Sequence, residues 1–341
     1  MNEIPYLSLE GAVTACPDCK GFSQEERLGL EVVAACPYAS SSKSRTARVT
    51  VRLHDGSLKD YFLRCTKSSS DVAIQAEFNS LQKLYTANPG AVPRPHKWGK
   101  IPDENNGAKS QESREKERRE GREKRIVKEQ IDIAYFIVCD FVHSSPNLPS
   151  PAGLSMQLAR IHQVSKPTDK FGCDEPRHQA GICLAPARYS CWADCFRSWI
   201  IAFLNQDIAV NEKWPAYEAA FEVLICRTIP RLLLPLQNNG RQILPTLVHG
   251  NLSAKHIRIR FSDGMPVLFS PYAMYAHQEY ELGATRLAIG GLDDGFINQH
   301  LRIVLPSAPI DEVYHRIVLY GIHFNLRHSI QHSGLFRQRY L

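Results

Sequence analysis

Residues Leu247 to Ile257 read L-V-H-G-N-L-S-A-K-H-I, and the fold prediction starts from them. Gly250-Asn251 within this stretch has turn-forming chemistry. Two short β-prone stretches follow, Ile257 to Phe261 and Pro266 to Phe269, on either side of Asp263-Gly264. The segment therefore predicts a polar loop that leads into a small β-hairpin.

The sequence on both sides of this loop is mainly helical. Apolar residues at helical spacing predict three helices before the loop, over Gly153 to Val164, Cys191 to Leu204 and Trp214 to Ile229. Several further helices are predicted between Glu281 and Tyr340. We expect residues 146–341 to form a mainly helical lobe that contains the loop and its hairpin.

The residues before this lobe have a different character. Thr46 to Leu53 and Lys59 to Cys65 are β-prone, and the Asp55-Gly56 dipeptide between them predicts a hairpin. The helical pattern from Asp71 to Tyr85 follows, with Asp71 as its N-cap. Ile131 to Val142 is strongly apolar and predicts a buried hinge strand.

These elements predict three regions. Residues 1–30 are an N-terminal extension, 31–145 a β-rich lobe, and 146–341 the helical lobe. The order is strand, helix, hinge strand, helices, loop and hairpin, which is the layout of a two-lobed α+β fold of the protein-kinase-like class. At 341 residues, the chain has room for two such lobes.

One stretch, an insertion at 103–130 in the first lobe, does not fit a packed core. Thirteen of the seventeen residues from Lys109 to Arg125 are charged, with both signs mixed. Such a segment cannot bury an apolar face, so it is a solvated insertion or a basic docking element.

Composition limits the classes of function. The net charge of +6 is mild and partly local to the charged insertion, so nucleic acid is not an expected partner. The longest apolar stretches are too short to cross a bilayer, and Met1 to Glu10 does not resemble a secretory signal. We expect an intracellular, cytoplasmic protein without a membrane partner.

The ten cysteines then read as mostly reduced thiols. Cys16 and Cys19 form a C-x-x-C pair that suits zinc or redox chemistry, and Cys191 and Cys195 lie four residues apart on a predicted helix. Metal ligands and idle thiols both remain open for each pair.

The loop resembles L-V-H-G-D-L-W-x-x-N-I, the catalytic loop of the fructosamine kinase (ketosamine-3-kinase) family. Further matches occur in the family's order from Tyr38 to the C-terminus. They are Tyr38 to Arg48, Tyr61 to Leu63, Glu77 to Leu81, Val92 to Pro95 with Trp98-Gly99, Gln157 to His162, Phe171-Gly172, Ser270 to Leu282 and Gly290-Gly291.

This resemblance implies a protein-kinase-like, aminoglycoside-phosphotransferase-like fold. It also implies ATP- and Mg²⁺-dependent phosphorylation of the sugar on glycated amines. The family's nucleotide-binding lysine falls on Arg64, its helix partner on Glu77, and its approach to the phosphates on Ser40 and Ser41. Arginine keeps the charge of lysine in a larger, planar group.

The remaining catalytic positions depart further from the family's pattern. His249 is retained, but the catalytic aspartate is Asn251, which cannot accept a proton. The metal-binding asparagine and aspartate are His256 and Ser270, and neither offers the anionic oxygen that Mg²⁺ prefers. His249 also reads as a structural histidine, Asn251 as a turn residue and His256 as a polar neighbour.

Three more positions lie on the substrate side by the same resemblance. Trp192 falls near the family's sugar-amine pocket, and its spacing to Trp199 equally suits a buried core stripe. His277 and Glu279 either face the ligand or brace the lobe.

Three hypotheses follow. The first is a catalytically impaired member of the family, a pseudokinase that still binds a ligand such as a nucleotide, a ketosamine, a glycated protein or another protein partner, with or without a cofactor. The second is an active ketosamine kinase using ATP and Mg²⁺, with another carboxylate replacing the lost ligands. The candidate carboxylates are Asp263, Glu279, Glu281, Asp293 and Asp294. The third is an interaction protein that recruits a protein partner through residues 109–125.

Overall fold

The computed structural model describes residues 31–40, 44–68, 71–101, 133–164, 168–179, 182–287, 291–332 and 337. Contacts divide the chain into two compact units. The first comprises Met1–Ile74 with Pro95–Phe141, and the second Gln75–Arg94 with Val142–Leu341. Ser41, Cys16, Cys19 and the charged run at 109–125 lie outside the described residues.

The first unit is built on one antiparallel sheet. Its strands are β1 (Glu31–Ser40), β2 (Ser44–Arg52), β3 (Leu58–Ser68), β4 (Pro95–Lys100) and β5 (Ile133–Asp140). Helix α1 (Val72–Ala87) follows β3 in the chain and, from Gln75 onward, belongs to the second unit. The strand order is β1-β2-β3-β5-β4, so the predicted hinge strand lies inside the sheet. The predicted β2–β3 hairpin is confirmed, and Gly56 in its turn has φ +80°, a conformation that favours glycine.

Alternation along the strands forms the core of this sheet. Val49 and Val51 of β2, Tyr61 and Leu63 of β3, and Phe136 of β5 are all buried in one cluster. Residues two apart point to the same face of a strand, so the β-branched pattern of β2 is enough to place its apolar side chains together.

Helix α1 forms as predicted, and residues 75–94 have their contacts in the second unit. The backbone N–H of Ala273 donates to Ser80 Oγ at 3.1 Å. The backbone N–H of Leu268 donates to the carbonyl of Ala91 at 2.8 Å. These residues are therefore tied to the hairpin segment of the second unit, whereas the sequence assigned them to residues 31–145.

The second unit contains the predicted helices. They are α2 (Pro151–Val164), α3 (Trp192–Asn211), α4 (Pro215–Val223), α5 (Ile229–Leu233), α6 (Asp294–Ile303) and α7 (Val313–Gln331). A π-helical turn, Leu224–Thr228, joins α4 to α5. Of all these helices and α1, none is long and apolar enough to cross a membrane within the described part of the chain.

Short strands complete this unit. They are β6 (Ser144–Ser145), β7 (Phe171–Cys173), β8 (Arg177–Gln179), β9 (Ile182–Leu184), β10 (Ala187–Tyr189), β11 (Thr246–Val248), β12 (Ile257–Arg260), β13 (Pro266–Leu268) and β14 (Met274–Ala276). The predicted β12–β13 hairpin is confirmed, with Arg258 opposite Val267. The four-stranded sheet β10-β7-β14-β11 was not predicted, because three-residue strands are too short to show alternation.

Candidate functional site

The loop that follows β11 packs closely against residues 270–272, which precede β14. Gly250 has φ +73°, and a Cβ at this position would lie 2.3 Å from the carbonyl oxygen of Tyr272. Only glycine fits such a close approach in this conformation. The backbone of residues 249–251 is therefore held directly beside residues 270–272.

The buried side chain of His249 is hydrogen-bonded to this loop and to the residue that follows β13. Its ring is buried, its Nε2 lies 3.1 Å from the carbonyl oxygen of Phe269, and its Nδ1 accepts from the backbone N–H of Asn251 at 3.3 Å. Burial lowers the pKa of His249 to about 3. A neutral ring that accepts at Nδ1 donates at Nε2, so His249 bonds the loop to the hairpin strand.

Glu281 is the second internal support. It lies in a 3₁₀ segment, Gln278–Arg286, and its two carboxylate oxygens accept from the backbone N–H groups of His249 and Gly250, each at 2.9 Å. Burial raises the pKa of Glu281 to about 7, against the opposing effect of these two hydrogen bonds. Its carboxylate thus faces the loop backbone.

The amide of Asn251, at the expected position of the catalytic base, is occupied on both sides. Its Nδ2 donates to the carbonyl oxygen of Ser270 at 2.7 Å. Its Oδ1 accepts from the guanidinium of Arg327 at 2.6 Å. Arg327 also donates to the carbonyl oxygen of Gly250 at 2.9 Å, so one arginine is bonded to two successive residues of the loop.

Arg327 itself was not identified from the sequence. It projects from α7, is only 6% exposed, and has the rings of Tyr272 and Phe324 at 5.2 and 5.6 Å from its guanidinium carbon. It forms no ion pair within the described residues. The sequence does contain a signal for Arg327. This arginine follows buried Tyr320 by seven residues and buried Phe324 by three, so helical spacing places its charge on the apolar face of the helix.

His256, at one expected metal position, also serves the loop. Its Nδ1 lies 2.8 Å from the carbonyl oxygen of Asn251 and 3.1 Å from Ser253 Oγ. Burial, above all, lowers the pKa of His256 to about 4. The ring is therefore neutral near pH 7 and one of its nitrogens is directed at the loop backbone.

Ser270, at the other metal position, has a left-handed backbone with φ +52°. Non-glycine residues other than Asn, Asp and His seldom adopt this region. The conformation directs the Ser270 carbonyl toward Asn251, and the side chain contributes a neutral hydroxyl in place of a carboxylate.

The carboxylates proposed as replacements are engaged in other contacts. Asp263 pairs with Arg260 at 3.1 Å, and Asp294 with Arg286 at 3.1 Å. Asp293 caps α6 by accepting from the backbone N–H of Phe296. Glu279 forms a buried bidentate pair with Arg316 at 2.7 and 2.8 Å, and Glu281 supports the loop.

The contacts of these residues bear on whether they could hold Mg²⁺. The expected ligand set is an amide oxygen already bonded to a guanidinium, an imidazole and a hydroxyl, with no free carboxylate among the five candidates. In the described part of the chain, no three His, Cys, Asp or Glu side chains are grouped as a metal site. The residues present do not fit Mg²⁺, which prefers anionic and water oxygens in octahedral geometry.

The substrate-side candidates form an internal network. Trp192 is fully buried, and its Nε1–H donates to the hydroxyl of Tyr320 at 2.9 Å. That hydroxyl lies 2.8 Å from His277 Nδ1, and His277 Nε2 lies 2.8 Å from Ser307 Oγ. Trp199 is 5.5 Å from Trp192 between ring centroids. These contacts join Trp192 and His277 into one buried network within the second unit, and a bracing role for them and for Glu279 stays a prediction.

The nucleotide-side candidates lie elsewhere in the chain. Arg64 is on β3, where its backbone pairs with Thr46 and Ile137. Ser40 ends β1, and Glu77 is in the first half of α1. An Arg64–Glu77 pair remains a prediction.

The structure describes one of the two cysteine pairs considered as metal ligands. Cys191 and Cys195 are both free thiols at the start of α3, and burial raises the pKa of Cys195. Neither belongs to a group of three metal-binding side chains within the described ranges. The hypotheses for Cys16 and Cys19 fall outside them.

The sequence profile of fructosamine kinase matches residues 40–341. The chain belongs to the fructosamine kinase family. A Staphylococcus aureus protein named as a probable ketoamine kinase is 22% identical over 187 residues, which is 54% of this chain and 60% of that protein. The match thus spans less than two thirds of this curated relative.

Solved structures confirm the two-lobed, kinase-like α+β fold. A Thermobifida fusca protein described as a fructosamine-3-kinase is 19% identical with a TM-score of 0.68, covering 98% of this chain and 96% of its own. A similarly described Haemophilus somnus protein is 15% identical with a TM-score of 0.61, covering 97% and 96%. An aminoglycoside phosphotransferase is 12% identical with a TM-score of 0.53, covering 91% and 93%.

Proposed function

We propose that this fructosamine kinase family member is a pseudokinase, which keeps the family's scaffold and has lost magnesium-dependent phosphoryl transfer. The observation that supports the proposal is the 2.6 Å hydrogen bond from Arg327 to Asn251 Oδ1. The position that requires a proton acceptor holds a neutral amide, and that amide is already bonded to a cation. Its natural ligands would be glycated amines, either ketosamines or glycated proteins.

Two physical consequences support the proposal. A general base contributes about 10²–10⁴-fold to rate, and an amide cannot accept the proton of a sugar hydroxyl. A guanidinium bonded to Asn251 also repels a divalent cation. At about 4 Å and an effective dielectric constant near 20, each unit of like charge costs about 4 kcal/mol. Proton acceptance and metal binding are therefore both lost at the same place.

The test is an ATP turnover assay on the purified protein with Mg²⁺ and a fructosyl-lysine substrate. We expect no turnover above the protein-free background, in the wild type as in the Asn251→Ala variant. A thermal melt of both proteins provides the control for folding. Magnesium-dependent turnover by the wild type would overturn the proposal, and its disappearance in Asn251→Ala would assign a catalytic role to Asn251.

A gain-of-function series sharpens this test. Arg64→Lys, Asn251→Asp, His256→Asn and Ser270→Asp together restore the family's charged and metal-binding side chains. Arg327→Gln is added because the arginine would otherwise pair with the aspartate introduced at position 251. We expect magnesium to raise the Tm of this variant in the presence of AMP-PNP and to leave the wild type unchanged.

A further inference from the structure

A buried arginine is hydrogen-bonded to the C-terminal end of helix α3. Arg337 follows α7 in the chain and is only 6% exposed. Its Nε–H and one terminal nitrogen donate to the carboxylate Oδ2 and the backbone carbonyl oxygen of Asp207, at 2.7 and 2.8 Å. Its other terminal nitrogen donates to the carbonyl oxygens of Asn211 and Glu212, each at 2.7 Å. All three nitrogens of the guanidinium are therefore hydrogen-bonded.

The carbonyl groups of Asn211 and Glu212 are available because α3 ends here. The last carbonyl groups of a helix have no partner within it, and they form the negative end of the helix dipole. Glu212 leaves the helix with φ +67° and ψ 169°. This backbone conformation is almost restricted to glycine, and strained residues of this kind cluster at ligand clamps. A strained residue thus accompanies the turning of two carbonyl groups toward one cation.

The other walls of the site suit the same group. Asp207 is fully buried, and its second carboxylate oxygen accepts from Asn211 Nδ2 at 2.9 Å. The ring of buried Tyr217, in α4, lies 4.9 Å from the guanidinium carbon of Arg337, and the ring of Trp214 is stacked on that of Tyr217. An aromatic face and acceptors for three nitrogens suit a flat guanidinium, whereas an ammonium group is a compact point charge.

A plain ion pair does not account for this arrangement, because a carboxylate and an arginine form one without a strained residue or an aromatic wall. We propose that the end of α3 is a binding site for an alkylguanidinium group and that Arg337 is its ligand within the chain. The site accepts an arginine side chain supplied in trans when Arg337 is withdrawn. The proposal is independent of the proposed function, since it concerns residues outside the loop.

The test removes the internal ligand and supplies an external one. In the Arg337→Ala variant, Asp207 loses its buried counter-charge, so we expect a lower Tm than that of the wild type. Ethylguanidinium at about 1 to 20 mM should then raise the Tm of the variant in a saturable manner, because a ligand that binds only the folded state stabilises it. Ethylammonium at the same concentrations should not, and neither compound should shift the Tm of the wild type.

Matched variants assign the effect to this site. Arg231→Ala removes an exposed guanidinium that forms a bidentate contact with Glu312, and ethylguanidinium should not raise its Tm saturably. Asp207→Asn combined with Arg337→Ala should bind no guanidinium, because the charge that holds the cation is gone. Equal shifts with ethylguanidinium and ethylammonium, or no saturable shift in Arg337→Ala, would overturn the proposal.

A labelled peptide of residues 333–341 tests the supply of arginine in trans. Fluorescence anisotropy should show saturable binding of this peptide to the Arg337→Ala protein. The affinity should fall about tenfold or more when the peptide carries Arg337→Lys, since an ammonium cannot reproduce the hydrogen bonds of the guanidinium fork. Equal affinities of the two peptides, or no binding of either, would refute binding in trans.

A second variant keeps the test decisive if alanine at this position prevents folding. Arg337→Gln is measured alongside, because its longer side chain fills part of the space that alanine leaves empty. If neither variant folds in buffer alone, refolding from urea is compared with ethylguanidinium and with ethylammonium. A higher yield of folded protein with ethylguanidinium supports the site, and no gain over ethylammonium overturns it.

Discussion

At the scale of single residues, the replacement of an aspartate by Asn251 is understood only together with Arg327. Asparagine alone would leave an uncharged amide that can still orient a hydroxyl. The guanidinium 2.6 Å from its oxygen changes the local charge from negative to positive. The two residues act as a pair, and a substitution at one should be interpreted with the other.

A buried hydroxyl provides the first prediction. Tyr320→Phe removes the group that accepts from Trp192 Nε1 and bonds His277 Nδ1. Leaving these two buried polar atoms unpaired should lower the free energy of unfolding by about 2–4 kcal/mol. Urea denaturation measures it, with Tyr314→Phe on the exposed face of the same helix as the control. Equal stability of the two variants would contradict the bracing network.

The Glu279–Arg316 pair gives a second prediction. Both side chains are buried, and Arg316 donates to both oxygens of Glu279. Glu279→Gln leaves a buried guanidinium without its counter-charge and should cost about 3–5 kcal/mol in urea denaturation. Glu312→Gln, which breaks an exposed bidentate contact with Arg231, is the control and should cost much less. Similar losses in the two variants would contradict the prediction.

At the scale of elements, α7 and the 3₁₀ segment Gln278–Arg286 form the support of the loop. The segment carries Glu281, and the helix carries Tyr320 and Arg327. A close approach between them requires small residues: a Cβ on Gly283 would lie 2.7 Å from Tyr320 backbone, and one on Gly321 2.4 Å from Arg286 Cβ. The position of Arg327 thus depends on how closely the two elements pack.

This packing leads to a third prediction. Gly321→Ala should destabilise the protein by about 1–3 kcal/mol, because the added methyl overlaps Arg286 and forces the elements apart. In an unhindered helix the same change stabilises by about 0.5–1 kcal/mol. Gly295→Ala near the start of α6 meets only the side chain of exposed Asp293, so its thermal melt should change less. A higher Tm for Gly321→Ala would show that the approach is looser.

At the scale of the whole molecule, buried and half-buried histidines dominate the acid response. Burial is the largest cause that lowers their pKa values from 6.5, to about 3 for two of them and about 4 for four. The six are His162, His249, His256, His277, His300 and His328. Between pH 6.5 and about 4 the unfolded chain therefore binds more protons than the folded one.

The fourth prediction is the sign of this dependence. The stability from these neutral histidines is complete above pH 6.5 and is lost as the pH falls toward 4, with a slope of at least about 1.4 kcal/mol per pH unit. Glu281 acts oppositely: its pKa is raised from 4.5 to about 7, so its contribution is lost as the pH rises through that range. The six histidines together change the free energy of unfolding more than the single carboxyl group of Glu281 does. Urea denaturation at pH 7, 6 and 5 at constant ionic strength measures the slope, and a flat or rising stability on acidification would contradict it.

The order of elements was accessible from local patterns. The β2–β3 hairpin, the buried strand β5, helices α1 to α3 and the β12–β13 hairpin each have enough residues to show their period or turn chemistry. The ordered resemblances along the chain added the family and the positions of Arg64, Asn251, His256 and Ser270. Those departures are visible because they are substitutions at fixed places in a motif.

The side chains that contact the loop could be identified only from the tertiary structure. Arg327 lies 76 residues from Asn251 along the chain, and Glu281 lies 31 from Gly250. Such separations along the chain produce no periodic pattern and no motif in the sequence, because contacts between distant segments depend on how helices and strands pack. Local patterns and the ordered resemblances were sufficient for the fold class, the family and the loss of charged side chains at the loop. Tertiary packing alone decided that a buried arginine binds Asn251 and that the neighbouring carboxylates face other groups.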